Sequence, residues 1–267
     1  MRLIRFTAEG RTAYGLVEGD RIAEVAGDPF QALAAAAAPQ RTGRVLDMAA
    51  VRVEAPFIPR TFYAAGMNYG GHVREMAAKL NEPPAIPQQP DMGYRAVNAI
   101  VAHNEPVVIP RDATQVQYEG ELAVVIGRRA KHLSEAEALS CVLGYTIGND
   151  VSERAWQKSD RTFWRAKNTD TFKPMGPFIQ TGLDRAALDA MQTTVRLNGE
   201  ARTQFRTGDM VFGIERFIST MTRYLTLHPG DVIWMGTDGA SPNLAPGDVV
   251  EVEITGLGTL RNPFIAE

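Results

Sequence analysis

The chain has 267 residues, 45% hydrophobic and 22% charged, the mixture of an ordinary globular protein. Its 28 basic and 31 acidic residues leave a net charge of −3 with no basic block, so the charge pattern gives no case for nucleic acid. No stretch approaches the roughly 20 apolar residues that span a bilayer, and the N-terminus turns polar at once, without a signal-peptide core. The single cysteine, Cys141, forbids an internal disulfide. A cytoplasmic chain with no membrane partner is expected.

Residues 1–58 read as a small unit of their own. Arg2–Phe6, Thr12–Glu18 and Arg21–Glu24 have strand composition with Gly and Asp turns between them, and Ala32–Ala38 is a short Ala-rich helix that Pro39 ends. After Pro56 and Pro59 the texture changes. Phe62–Ala65 reads as a short buried strand, Gly66–Gly71 as a glycine-rich loop, and His72–Leu80 as helical. Pro83–Met92, with four prolines, reads as a flexible lid. Strand composition recurs at Val97–Val101, Val107–Ile109, Glu119–Ile126, Val142–Ile147, Thr194–Leu197, Val232–Met235, Val249–Ile254 and Thr259–Arg261. Two further helices are expected, one opening at Ser134 and running to Leu139, the other over Ile214–Tyr224. Cys141 reads as a small buried hydrophobe.

Four stretches can carry chemistry. In Tyr118-Glu119-Gly120-Glu121-Leu122, residues two apart share a strand face, so Glu119 and Glu121 project together at the mouth of an apolar run. They form either a cation site or a solvated strand end. Asp150 follows the apolar strand Val142–Ile147; it is a third carboxylate or a helix N-cap. His72 and Glu75 lie three apart on one helix face, as a general-base pair or a plain surface pair. Lys167 either stabilises an anion or pairs with Asp170. The four histidines show no ligand spacing and there is no cysteine pair, so any metal is a hard ion held by carboxylates.

Together and in this order, these stretches resemble the fumarylacetoacetate hydrolase family. Its G-x-N-Y-x-x-H-x-x-E loop is matched by Gly66–Glu75, Y-E-x-E-L by Tyr118–Leu122, and N-D-x-S-x-R by Asn149–Arg154. K-x-x-D leading to P-x-G-P is matched by Lys167–Asp170 and Pro174–Pro177. N-G-E at Asn198–Glu200, P-G-D at Pro229–Asp231, G-T at Gly236-Thr237 and G-D-V-V at Gly247–Val250 complete the series. The match runs from about residue 60 to the C-terminus. Three departures stand out: T-G-T-P reads Met235-Gly236-Thr237-Asp238, F-x-K reads Gly93-Tyr94-Arg95, and the usual Gln after N-G-E is Thr203.

The resemblance implies an α+β, β-rich fold of mixed sheets forming a roll, with a catalytic domain over 59–267, a lid over about 70–95, and a homodimer. It implies that Glu119, Glu121 and Asp150 hold Mg2+ or Mn2+, that His72 and Glu75 activate water, and that Lys167 stands beside the metal. Tyr69, Arg95, Arg154, Gln157 and Thr237 match substrate-contacting positions. The expected reaction is hydrolysis of a carbon–carbon bond in a 2,4-dioxo acid of the acylpyruvate type. Decarboxylation of an oxaloacetate-like acid, isomerisation of an unsaturated 2-oxo acid, and a catalytically idle metal-binding protein are the alternatives.

Overall fold

The computed structural model describes residues 1–35 and 37–267. The N-terminal unit is an antiparallel meander of β1 (Arg2–Ala8), β2 (Arg11–Glu18), β3 (Arg21–Val25) and β4 (Arg41–Asp47), with β5 (Arg52–Val53) against the other side of β1. The β1–β2 hairpin turns through Glu9 and Gly10, both at positive φ (51° and 76°), the conformation that matches strand twist. Helix α1 spans Pro29–Ala34 and so begins earlier than expected. The Asp28 carboxylate accepts from the Phe30 N–H at 2.9 Å, and Pro29 occupies the first turn, where its missing N–H costs nothing. Ala36, inside the expected helix, lies outside the described residues.

The remaining elements, in chain order, are β6 (Phe62–Gly66), α2 (Gly70–Leu80), β7 (Asp91–Tyr94), β8 (Ile100–Val101), β9 (Val107–Ile109), β10 (Val116–Gln117), β11 (Gly120–Ile126) and β12 (Val142–Asn149). Then follow β13 (Ser152–Glu153), α3 (Arg154–Gln157), β14 (Lys173–Gln180), α4 (Arg185–Ala190), β15 (Gln192–Leu197), β16 (Glu200–Arg206), α5 (Ile214–Tyr224), β17 (Val232–Trp234), β18 (Val249–Ile254) and β19 (Gly258–Ala266). The large sheet runs β4-β3-β2-β1-β14-β12-β11-β17-β6-β7 and the smaller one β16-β15-β18-β19-β9. Both are mixed: β17 pairs β6, and β19 pairs β9, in parallel. No helix among the described residues is long and apolar enough to cross a membrane.

Strand β11 explains the layering. All seven of its residues are buried, so it has no solvent face. Leu122, Val124 and Ile126 point into one core, which they share with Val195, Val252 and Leu260 of the smaller sheet. Ala123 and Val125 point the other way, toward Phe62, Met175 and Trp234. The two sheets meet at Gly120, where a methyl group would lie 2.7 Å from Val195 and 2.9 Å from Val252. Helix α5 covers the first core with Ile214, Phe217, Ile218 and Met221, one apolar stripe at helical spacing.

Three local expectations need correction. Ser134 opens no α-helix: the Glu137 carboxylate accepts from both the N–H and the hydroxyl of Ser134, at 3.0 and 2.7 Å, which closes a single turn before a 3-10 segment over Ala138–Cys141. Val97–Val101 is a 3-10 turn followed by the two-residue β8. The segment from Lys173 to Gln180, which carries the P-x-G-P match and is not among the expected strands, is the strand β14 inside the large sheet. Pro174 and Pro177 lack an N–H for the ladder and argue against a central strand, yet the pairing to β12 carries a register shift near these residues.

Gly148 of β12 pairs with Glu121, and a methyl group there would lie 2.7 Å from three carbons of the buried Trp234 indole. Gly148→Ala is therefore expected to cost about 1–3 kcal/mol through overpacking. A lower urea midpoint with an unchanged slope is the result that checks it.

Candidate active site

The ends of β11 and β12 bring the carboxylates together. The two strands are antiparallel, and Gly120 faces Asn149. Asn149 then turns its side chain back, so that its Oδ1 accepts from the Glu119 N–H at 3.0 Å, while the Asp150 N–H donates to the Glu119 carbonyl at 2.8 Å. Two hydrogen bonds thus lock the residues on either side of the ladder. The result is a cluster of Glu119, Glu121 and Asp150, with a ligand oxygen from each within 4.8 Å of the others. All three are buried, at 6%, 1% and 1% exposure, so the Glu119 and Glu121 pair is no solvated strand end. Asp150 is no helix cap either. That role belongs to Glu153, whose Oε2 accepts from the Trp156 N–H at 2.5 Å.

Buried carboxylates need counter-charges, and four cations supply them. Lys167 Nζ sits between Glu119 and Asp150, at 2.7 and 2.8 Å, rather than on Asp170, which instead accepts from Asn98. Arg154 reaches Glu119 at 2.6 Å. Arg95 forks onto both oxygens of Asp150, Nε at 3.0 Å and Nη2 at 2.8 Å. Lys173, 0% exposed, places Nζ 2.7 Å from Asp150 and donates to the carbonyls of Val151 and Phe172 at 2.9 and 2.8 Å.

The cations are unevenly shared, and the carboxylates separate accordingly. Burial alone would raise all three. At Asp150 this is outweighed by Arg95, Lys167 and Lys173, which hold the acid well below its usual range. At Glu119 it is outweighed by Arg154 and Lys167, again with a downward result. Glu121 keeps the full effect of burial and adds repulsion from Asp150 and Glu119, so it is pushed well above the ordinary carboxylate range. Its Oε2 accepts from the Gly236 N–H at 2.7 Å. Burial drives the Lys173 ammonium down to about 7, with Asp150 opposing that shift.

A cleft of about 180 Å³ opens on Glu119 and Glu121, and His72, Arg95, Arg154, Gln157, Lys167 and Thr237 line it. Gln157 accepts from Arg154 at 2.8 Å, which aligns the guanidinium along the wall. His72 stands in the first turn of α2, and its Nδ1 lies 3.4 Å from the Gly239 carbonyl. Asn68 fixes the approach to this helix: its amide donates to the Phe212 and Met235 carbonyls and accepts from the Phe212 N–H, all within 3.1 Å. Tyr69 is not on the cleft wall. It is 1% exposed, its ring edge-on to Phe205 at 4.9 Å, and burial raises its phenol far above the ordinary value. Cys141 is likewise buried, its thiol pushed up to about 11 by that burial. A larger groove, about 520 Å³, runs between α1 and the 57–60 segment, but its one carboxylate, Asp28, is the helix cap.

Sequence reasoning missed Lys173 and the fork of Arg95 onto Asp150. A signal for Lys173 existed. It stands between Phe172 and Met175 in an apolar stretch, and a lysine there has to find a carboxylate. Lys173→Met keeps an unbranched chain but removes the donor to two carbonyls and one cation from Asp150. We expect a loss of about 3 kcal/mol, read as a melting point lower by several degrees.

Residues 61–265 match the family model described as "Fumarylacetoacetate (FAA) hydrolase C-terminal", and residues 1–56 match "Rv2993c-like, N-terminal". A 2,4-didehydro-3-deoxy-L-rhamnonate hydrolase from Sphingomonas is 34% identical, over 98% of this chain and 95% of that protein. A 4-hydroxyphenylacetate degradation bifunctional isomerase/decarboxylase from Salmonella dublin is 37% identical over 78% of this chain and 47% of its own length. The crystal structure of a 5-carboxymethyl-2-hydroxymuconate delta-isomerase from Mycobacterium smegmatis superimposes with a TM-score of 0.88, at 37% identity and full coverage of both chains.

Proposed function

The chain belongs to the fumarylacetoacetate hydrolase family, and on that premise we propose that it is a divalent-metal enzyme hydrolysing a carbon–carbon bond of a 2,4-dioxo acid, of the acylpyruvate type, to release pyruvate. One observation carries the reading: three buried carboxylates within 4.8 Å, two of which, Glu119 and Glu121, line a cleft that an imidazole and a lysine also reach. The donor set is all oxygen, which suits Mg2+ or Mn2+. The raised Glu121 fits this, because a cation beside it would remove the repulsion that keeps it from ionising. Held by Glu119, Glu121 and Asp150, such an ion would supply a Lewis acid to the oxo-acid head of the substrate.

The chain's own groups divide the remaining work. Arg154, aligned by Gln157, binds the substrate carboxylate, with Arg95 and Thr237 on the facing walls. A carbonyl only accepts, so the Gly239 contact puts the imidazole hydrogen on Nδ1 of His72 and leaves the Nε2 lone pair to take a proton from water. Glu75, on the same helix, completes the water-activating pair. Hydroxide attacks the 4-carbonyl, and Lys167 Nζ offsets the charge that develops on its oxygen. As that oxygen re-forms a carbonyl, the C3–C4 bond breaks with its electron pair passing to the pyruvate enolate, and the proton taken up by His72 is returned to C3. The segment 70–95 opens and closes over the cleft, and the active form is a cytoplasmic homodimer of 29.2 kDa chains. Neither nucleic acid nor membrane has a part in this reading. Support for hydrolysis comes from the Sphingomonas relative, whose named substrate is by its chemistry a 2,4-dioxo acid.

A second reading, decarboxylation or isomerisation of an oxo acid, uses the same residues without an attacking water. The names of the Salmonella and Mycobacterium smegmatis proteins favour it. Acetylpyruvate and oxaloacetate, each incubated with the protein and Mg2+ or Mn2+, separate the two. Acetate plus pyruvate is the expected result; carbon dioxide without acetate favours the second reading. A magnesium-dependent rise in melting temperature with no turnover would mark an idle metal-binding protein.

Two substitutions extend the test. Lys167→Ala is expected to lower the rate by about 100- to 1000-fold, the usual loss for one oxyanion donor. Glu119→Ala is expected to abolish turnover and weaken Mn2+ binding. Full activity in either variant overturns the assignment.

A further inference from the structure

Asp238 stands where the family resemblance leads to a proline, and the structure gives it specific surroundings. Its carboxylate lies flat against the first turn of α2. A methyl group at Gly71 would come within 2.4 and 2.7 Å of its two oxygens and 2.9 Å of its Cγ. The approach is therefore possible only because residue 71 is glycine. Helix α2 has no side-chain cap and no acidic residue in its own first turn. Asp238, from a distant segment, brings the negative charge that such an end favours.

The same carboxylate organises the residue that touches His72. Asp238 Oδ1 accepts from the Gly239 N–H at 2.9 Å. Gly239 sits at φ 75°, a left-handed conformation that a glycine adopts at little cost. In that conformation its carbonyl lies 3.4 Å from His72 Nδ1. Asp238 does not line the cleft. It reaches the imidazole through two routes: Gly71 next to His72 in the chain, and the Gly239 peptide.

We propose that Asp238 is a positioning residue for His72, holding the 236–239 turn against α2 so that the Gly239 carbonyl fixes the imidazole with its hydrogen on Nδ1 and Nε2 free toward the cleft. This rests on the reading of His72 as the base, and it assigns the orienting partner of that base to Asp238 and Gly239.

The experiment pairs kinetics with imidazole 15N spectra of the whole protein. The chain has four histidines, so a His72→Gln variant identifies the resonance. In the unaltered protein the His72 nitrogens are expected to show one tautomer, protonated at Nδ1. Asp238→Ala should mix the tautomers and lower kcat on acetylpyruvate about 10- to 100-fold, the scale of a small misplacement of a reacting group. KM and Mn2+ affinity should stay within about twofold. Asp238→Asn, which keeps an acceptor for Gly239, should restore most of both properties. Gly71→Ala, which pushes the carboxylate away, should reproduce the loss, and adding Asp238→Ala to it should relieve the clash without restoring the tautomer. Unchanged His72 nitrogen shifts in Asp238→Ala would overturn the proposal. The spectra decide this even if neither acid is turned over, so failure of the proposed activity and failure of this contact are distinguishable.

Discussion

Three carboxylates buried within 4.8 Å of one another are the constraint around which the rest is arranged. Left alone they would not stay ionised in a dry interior. Arg95, Arg154, Lys167 and Lys173 come from four different segments, and each makes an ion pair of 2.8 Å or less with the cluster. The folded chain therefore closes around the acids from several directions. The uneven distribution is informative: Asp150 has three cations beside it, Glu119 two, and Glu121 accepts from the Gly236 N–H. One carboxylate is kept in reserve, strongly raised, where an added positive charge gains the most.

The sheets make this placement reproducible. Strand β11 is buried on both faces, so its register cannot slip without moving an entire apolar set from one core to the other. Glu121 inherits its position from that register. Glu119 lies just before the strand and takes its position from Asn149 instead. The imidazole side of the cleft is fixed differently, by a buried amide at Asn68 and by the turn that follows β17. Two independent supports thus meet across about 180 Å³.

Much of this was legible in the amino-acid order. The first three strands, β9, β18 and α5 follow directly from period-two and helical spacing, and the carboxylates follow from the i, i+2 rule plus a strand end. What escaped was non-local. Lys173 and β14 were hidden because two prolines disguise a paired strand, and proline content is read locally while the ladder is set by neighbours far along the chain. Ser134 and Glu137 form a genuine capping pair, yet there is no apolar stripe behind it to extend the helix. Tyr69 matched a motif position but faces Phe205, a partner no spacing rule could supply. The alternatives left open at Glu119, Asp150 and Lys167 were open for the same reason: burial depends on what packs over them.

The way the N-terminal meander attaches has a consequence for how such chains can be cut and recombined. Among the described residues its one ladder to the rest of the large sheet is β1 on β14, with Leu3 opposite Ile179, and Met1 and Thr181 exchange further bonds at the end of that seam. A chain trimmed to the 61–265 region would bare the Ile179–Gln180 end of β14, while β8 still pairs with its Lys173–Pro174 end, and the unpaired peptide groups there would be a template for strand addition by another copy. The small unit thus acts as an edge guard for the strand that begins at Lys173. A shorter relative without it needs a proline, a charge or a partner subunit at that edge to stay monodisperse.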